Sequence, residues 1–261
     1  MFEARLNAAA TFKKILDAVK ELIADGSFDA ASTGISLQAM DSSHVSLVSL
    51  LLKAEGFEHF RCDRGRSFGM NLKNLSQIIK CAGNDDTMTL KAEDDTDTIS
   101  LVFENNDSDK VSEFEMKLME IDVEHLGIPE TQYAATVKMP SSEFQRVCKD
   151  LTAFGDAVTL SVTKEGIKFS VSGDIGTGQI VLRQSSASDK KPEEQVSIDL
   201  QEPVTLSFAL KYLNNFTKAT GLSNSVYIKL SPDVPVCVEY KIENMGHIQY
   251  FLAPKIEDAA E

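Results

Sequence analysis

Two consecutive stretches decide the fold: SSEFQRVCKDLTAFG (Ser141–Gly155) and VTLSVTKEGIKFSVSGDIGTGQIVLRQ (Val158–Gln184). In the first, apolar residues recur every three or four positions, which predicts a short helix with one buried stripe. In the second, apolar and polar residues alternate on both sides of Lys164-Glu165-Gly166, which predicts a β-hairpin. The same pairing recurs three more times. TFKKILDAVKEL (Thr11–Leu22), with Phe12, Ile15, Leu16, Val19 and Ile23 on one stripe, precedes GISLQAMDSSHVSLVSLLLK (Gly34–Lys53), two strands joined through Asp41–Ser43. LKNLSQIIKCAG (Leu72–Gly83), with Leu75, Ile78 and Ile79, precedes MTLKAEDDTDTISLVFE (Met88–Glu104), two strands around Asp94–Asp97. ALKYLNNFTKATG (Ala209–Gly221) precedes VYIKLSPDVPVCVEYKIENMGHIQYFLAP (Val226–Pro254), a three-stranded meander. Gly83, Gly155 and Gly221 stand where helix C-caps are expected.

Helix starts fall roughly 60–70 residues apart, so two such units fill one ordinary domain. The 261 residues then make a tandem pair of similar α+β domains, each a duplicated helix-plus-antiparallel-sheet unit. MEIDVEHLGIPETQYAA (Met119–Ala135) has no clear period and holds Gly127-Ile128-Pro129, which marks it as the linker. The expected boundaries are 1–118 for the first domain, 119–135 for the linker and 136–261 for the second. Hydrophobic residues at 43% and charged residues at 25% suit a folded domain with a real core. No stretch approaches the ~18 apolar residues of a membrane span, and MFEARLNAAATFKKIL lacks the apolar run of a signal peptide. Cys62, Cys81, Cys148 and Cys237 form no CxxC pair and read as reduced thiols in an intracellular compartment.

A net charge of −14 argues against nucleic acid until its distribution is read. The four helical stretches hold Lys13, Lys14, Lys20, Lys73, Lys80, Arg146, Lys149, Lys211 and Lys218 against Asp17, Glu21, Glu143 and Asp150, while the remainder is strongly acidic. Lys13 and Lys20, Lys73 and Lys80, and Lys211 and Lys218 are seven apart and return to nearly one helix face. Lysine also suits any exposed helix face, but the same bias on four equivalent helices predicts a cationic surface that binds phosphates without reading bases. Helices side by side at ~9–10 Å test whether that surface could surround a duplex. Eight helices leave a bore of about 14 Å and twelve leave about 26 Å. A duplex of roughly 20 Å therefore needs three copies of the chain. Asp109–Lys117 (DKVSEFEMK) and Gly176–Arg183 (GTGQIVLR) are the sheet edges expected to close such a ring head to tail.

The strings MFEARL (Met1–Leu6), LQAMDSSHVSLV (Leu37–Val48), EGF (Glu55–Phe57), RCDR (Arg61–Arg64), KCAGN (Lys80–Asn84), EMKLM (Glu115–Met119), LGIPE (Leu126–Glu130), TKAT (Thr217–Thr220), VEYKI (Val238–Ile242) and LAPKIED (Leu252–Asp258) run nearly end to end. Through them the chain resembles the proliferating cell nuclear antigen family of eukaryotic sliding clamps. The resemblance implies a DNA clamp fold and a homotrimeric ring with helices lining the hole. It implies a nuclear location, loading by an ATP-driven clamp loader, and the tethering of DNA polymerases and repair proteins without a cofactor. The expected DNA-binding set is Arg5, Lys13, Lys14, Lys20, Lys73, Lys80, Arg146, Lys149, Lys211 and Lys218. The implied pocket for partner peptides is Met40, His44, Val45 and Leu47, then Leu126, Ile128 and Pro129, then Val234, Pro235, Phe251, Ala253 and Pro254. Apolar residues in a linker have no domain core to fill, which agrees with a partner site; pinning of the linker to its own domain is the alternative for Leu126 and Ile128. Lys164 matches the position at which the family accepts ubiquitin or its relatives. Gln77, where the family often carries a basic residue, and Phe251, where a tyrosine is common, depart from the pattern.

His44, His59, His125 and His247 show no metal-ligand spacing, and GDIGTG (Gly173–Gly178) lacks the strand-loop-helix setting of a phosphate cradle. Asp85-Asp86 and Asp94-Asp95 read as turn residues. A metal-dependent nuclease built on these turns remains the enzymatic alternative, and a subunit of a heterotrimeric clamp the non-enzymatic one.

Overall fold

The structure, a computed structural model, describes residues 1–105, 107–122, 126–128, 131–185, 191 and 194–255. It divides into two units, Met1–His44 with Val48–Gly127 and Ile242–Ile248, and Val45–Leu47 with Ile128–Lys241 and Gln249–Glu261.

Unit 1 runs β1 (Phe2–Leu6), α1 (Ala9–Val19), β2 (Asp25–Ala31), β3 (Gly34–Met40), β4 (Ser46–Lys53), β5 (His59–Cys62), β6 (Arg66–Asn71), α2 (Leu72–Ile79), β7 (Thr87–Ala92), β8 (Thr98–Asn105) and β9 (Lys110–Lys117). Unit 2 repeats that order with β10 (Ala135–Pro140), α3 (Ser141–Leu151), β11 (Ala157–Thr163), β12 (Gly166–Gly173), β13 (Gly176–Arg183), β14 (Ser197–Leu200), β15 (Val204–Ala209), α4 (Leu210–Phe216), β16 (Ser225–Leu230), β17 (Val236–Ile242) and β18 (Gly246–Leu252); Ile242 and Gly246–Ile248 of the last two strands are counted in unit 1, and Ser46 and Leu47 of β4 in unit 2. A 3₁₀ segment, Thr217–Leu222, extends α4.

Within each unit the two β-α-β-β-β repeats exchange their leading strands. In unit 1 the sheet orders are β5-β1-β7-β8-β9 and β6-β2-β3-β4, because β1 pairs with β7 of the second repeat and β6 pairs with β2 of the first. In unit 2 they are β14-β10-β16-β17-β18 and β15-β11-β12-β13, with β10 on β16 and β15 on β11. All these pairings are antiparallel, and alternate residues point inward, as in Phe2, Ala4 and Leu6 of β1 or Val158, Leu160 and Val162 of β11. The helices bury their apolar stripes over these faces: Phe12, Ile15, Leu16 and Val19 on α1, Leu72, Leu75 and Ile79 on α2, Phe144, Val147, Cys148 and Leu151 on α3, and Leu210, Leu213 and Phe216 on α4. Ile23 is buried beyond the end of α1, and Ile78 stays half-buried.

A helix leaves its first N–H groups without intrahelical partners. Here each helix is capped by the loop that follows the other helix of its unit. The Ala9 N–H donates to the Asp86 carbonyl (2.8 Å) and the Leu72 N–H to the Ala24 carbonyl (2.9 Å). The Ser141 N–H donates to the Asn224 carbonyl (2.9 Å) and the Leu210 N–H to the Asp156 carbonyl (2.8 Å). Side-chain N-caps are thereby dispensable, and only α2 has one, from Asn71 to the Asn74 N–H.

The expected glycine C-caps are corrected by the structure. The helices are C-capped by right-handed Lys20, Lys80, Thr152 and Thr217, and Gly83, Gly155 and Gly221 do not take positive φ. Gly83 donates its N–H to Asp86 Oδ2 (2.7 Å), while Gly221 lies inside the 3₁₀ segment. The hairpin at Lys164 forms as the alternation predicts, with Thr163 opposite Gly166.

Candidate nucleic-acid interface

Counted from the first helical residue, the second, sixth and ninth positions share one face, since their spacings of four and three residues match the helical repeat. The second positions are Ala10, Lys73, Ser142 and Lys211; the sixth are Lys14, Gln77, Arg146 and Asn215; the ninth are Asp17, Lys80, Lys149 and Lys218. Lys14, Lys73, Lys80, Arg146, Lys149, Lys211 and Lys218 are all exposed. Among the described residues Arg146 makes a long ion pair, 3.9 Å to Asp150, which solvent weakens. Lys211 Nζ lies 6.0 Å from the centre of the Tyr212 ring. Gln77 is exposed on this same face, with Lys73 one turn before it.

Three members of the expected set stand elsewhere. Arg5 lies on β1, with its guanidinium against Glu58 (2.9 Å) and Glu104 (2.7 Å), so two carboxylates already answer its charge. Lys13 Nζ donates to the Ala82 carbonyl (2.6 Å) and to Asn84 Oδ1 (3.1 Å). Lys20 is paired with Asp17, the acidic residue that α1 carries where the other three helices carry lysine. The basic stripe read along α1 thus reduces to Lys14.

The loop after α2 is ordered by Asp86, which is buried apart from 8% of its surface. Its carboxylate accepts from the Asn105 amide and the Gly83 N–H, both at 2.7 Å. These bonds hold its pKa below the ordinary 3.8. Unit 2 carries a second polar node, in which Glu239 accepts from Lys229 Nζ and from the Gln249 amide, each at 2.7 Å. Beside it, burial pushes both Tyr133 and Cys237 up to about 12.

The residues expected to receive partner peptides fall on both units. In unit 1, Met40 ends β3 half-buried, and exposed His44 takes φ 54° in a turn closed by its N–H to the Asp41 carbonyl (2.9 Å). Leu126, 40% exposed, is held by its backbone: its N–H donates to Gln38 Oε1 (2.8 Å), and Gln38 Nε2 donates to its carbonyl (2.9 Å). The sequence carried no sign of this clasp, because one glutamine on a strand has no distinguishing pattern. In unit 2, exposed Val45 accepts from the Ala253 N–H (3.4 Å), which places the chain end after β18 beside the start of β4. Leu47, Val234, Phe251 and Pro254 are half-buried, and Ile128, Pro235 and Ala253 are exposed. Pro129 lies outside the described residues. Lys164 is exposed in the two-residue turn between β11 and β12.

Among the described residues no group of three or more His, Cys, Asp or Glu is arranged to hold a metal ion, and no helix is long and apolar enough to cross a membrane. The family model for the N-terminal domain of proliferating cell nuclear antigen matches residues 1–125, and the model for its C-terminal domain matches residues 127–255. Two domains matched in order, over two units with the same strand and helix succession, place this chain in the proliferating cell nuclear antigen family of DNA sliding clamps.

Proposed function

We propose that the chain is one subunit of a homotrimeric nuclear ring that surrounds duplex DNA without reading its sequence and tethers polymerases and repair proteins to it. The observation that supports this most is the cationic helix face repeated in both units, set in a chain of net charge −14. Lysines and one arginine at equivalent helix positions attract phosphates wherever the duplex lies, and the acidic remainder repels DNA from other surfaces. Nothing in that arrangement presents a base-reading pair, so the ring slides. It needs no catalytic chemistry from this chain, and its processivity comes from topology.

In this reading the domains are residues 1–118 and 136–261, joined by the linker 119–135. The open edges of β9 and β13 meet head to tail between subunits. Exposed Val111 on β9 and Val181 on β13 supply apolar area there. Short hydrophobic peptides of partner proteins dock on Met40, His44, Val45, Leu47, Leu126, Ile128, Pro129, Val234, Pro235, Phe251, Ala253 and Pro254, and Lys164 accepts a ubiquitin-like modifier from the exposed turn.

Light scattering on the purified chain should give about three times 28.6 kDa. Protein placed on a closed DNA circle by its loader should stay bound through gel filtration and be lost when the circle is cut. A monomeric mass, or equal retention on cut DNA, would overturn the proposal.

A further inference from the structure

We propose that Lys13 is a positioning residue that clasps the two helices of unit 1 together, and not a phosphate contact. It is the fifth residue of α1, half-buried, with Nζ on the Ala82 carbonyl at 2.6 Å and on Asn84 Oδ1 at 3.1 Å. Both acceptors lie just past the end of α2. A helix C-terminus carries unpaired carbonyls and a partial negative charge. α2 ends on Lys80, whose side chain is exposed, and Lys13 brings a second cation to that end from the neighbouring helix.

The fifth position does the same work in unit 2. Gln145 of α3 donates to the Thr217 carbonyl at the end of α4 (3.1 Å), and Asn214 of α4 donates to Thr152 Oγ1 at the end of α3 (2.8 Å). Ser76, the fifth residue of α2, is buried. The fifth position is buried or half-buried in α1, α2 and α4 and exposed at Gln145 of α3, and in α1, α3 and α4 it reaches the end of the partner helix. Lys13 is the one cation in that set. Its acceptors follow Lys80 by two and four residues, so the clasp fixes where Lys14 of α1 and Lys80 of α2 stand relative to each other. This consequence rests on the DNA-encircling reading; the clasp itself does not.

The test compares Lys13→Met with Lys14→Met in the full chain, by hydrogen exchange and by the salt dependence of affinity for a linear duplex. Lys13→Met should speed exchange at Gly83–Asp86 about tenfold and keep the wild-type slope of log affinity against log salt. Lys14→Met should leave that exchange unchanged and lower the slope by about 0.9 for each subunit whose Lys14 touches the duplex. Loss of slope in Lys13→Met with exchange unchanged would overturn the proposal. If Lys13→Met does not fold, Asn84→Ala decides: faster exchange at Gly83–Asp86 supports the clasp, and unchanged exchange overturns it. An unaltered slope in Lys14→Met would count against DNA encirclement and leave the clasp to be judged by exchange alone.

Discussion

Replacing Lys80, Lys149 and Lys218 together by alanine removes the ninth-position cation from three helices. All three side chains are exposed, and exposed substitutions of this kind shift stability by about 0.5 kcal/mol or less each. The melting temperature should therefore barely move, which separates binding from folding. Each lysine that neutralises one phosphate contributes about 0.9 to the slope of log affinity against log salt, so between 50 and 200 mM salt it accounts for about 3.5-fold in affinity. Three such contacts account for about 40-fold over the same range. Fluorescence anisotropy on a labelled linear duplex across a salt series reads this directly: the variant should bind more weakly and respond to salt with a slope lower by about 2.7 for each subunit whose helix face touches the duplex. An unchanged slope in a folded variant would refute the assignment of this face to phosphate binding, whatever happened to affinity at one salt concentration.

Two further substitutions probe the framework behind that face. Asp86→Ala strips a carboxylate from the Gly83 N–H and the Asn105 amide and should cost about 1.5–3 kcal/mol in urea unfolding. Because the folded-state pKa of Asp86 lies below its ordinary 3.8, its contribution is complete above that pH and is lost as pH falls through the lower folded value. The wild type should accordingly lose its advantage over Asp86→Ala on acidification below about 3.8, and a constant gap down to pH 2 would contradict the assignment. Glu239→Ala leaves Lys229 without its 2.7 Å partner. The cost, read by thermal unfolding, should fall below the ~3–5 kcal/mol of a fully buried pair, since the Lys229 side chain keeps 24% exposure. Recovery by Lys229→Met in the same chain would confirm that the stranded charge, and not lost packing, sets that cost.

Local pattern revealed the elements whose evidence is local. The helix stripes showed in three- and four-residue spacing, and the hairpin at Lys164 showed because its alternating strands meet at a short polar turn. β2 was not legible, since DGSFDAA is rich in residues that strands disfavour. It forms because β6 and β3 pair with it on both sides. Helix ends were misjudged for a related reason: the carbonyl that receives the Ala9 N–H belongs to Asp86, far along the chain, so Ala8 carries no capping signature of its own. The seven exposed cations of the candidate face were readable from helix position. Arg5, Lys13 and Lys20 looked equivalent to them, but the partners that engage Arg5 and Lys13 come from distant segments. Lys20 differs in that its partner, Asp17, sits within the same helix and could have been weighed from spacing alone.

The exchange of leading strands bears on how such a chain holds together. A single β-α-β-β-β segment would leave its first strand without the partner that the other copy supplies and the start of its helix without a receiving carbonyl. Two copies satisfy both needs at once, each completing the other. Carrying both copies on one chain turns what would be a concentration-dependent association into an intramolecular one.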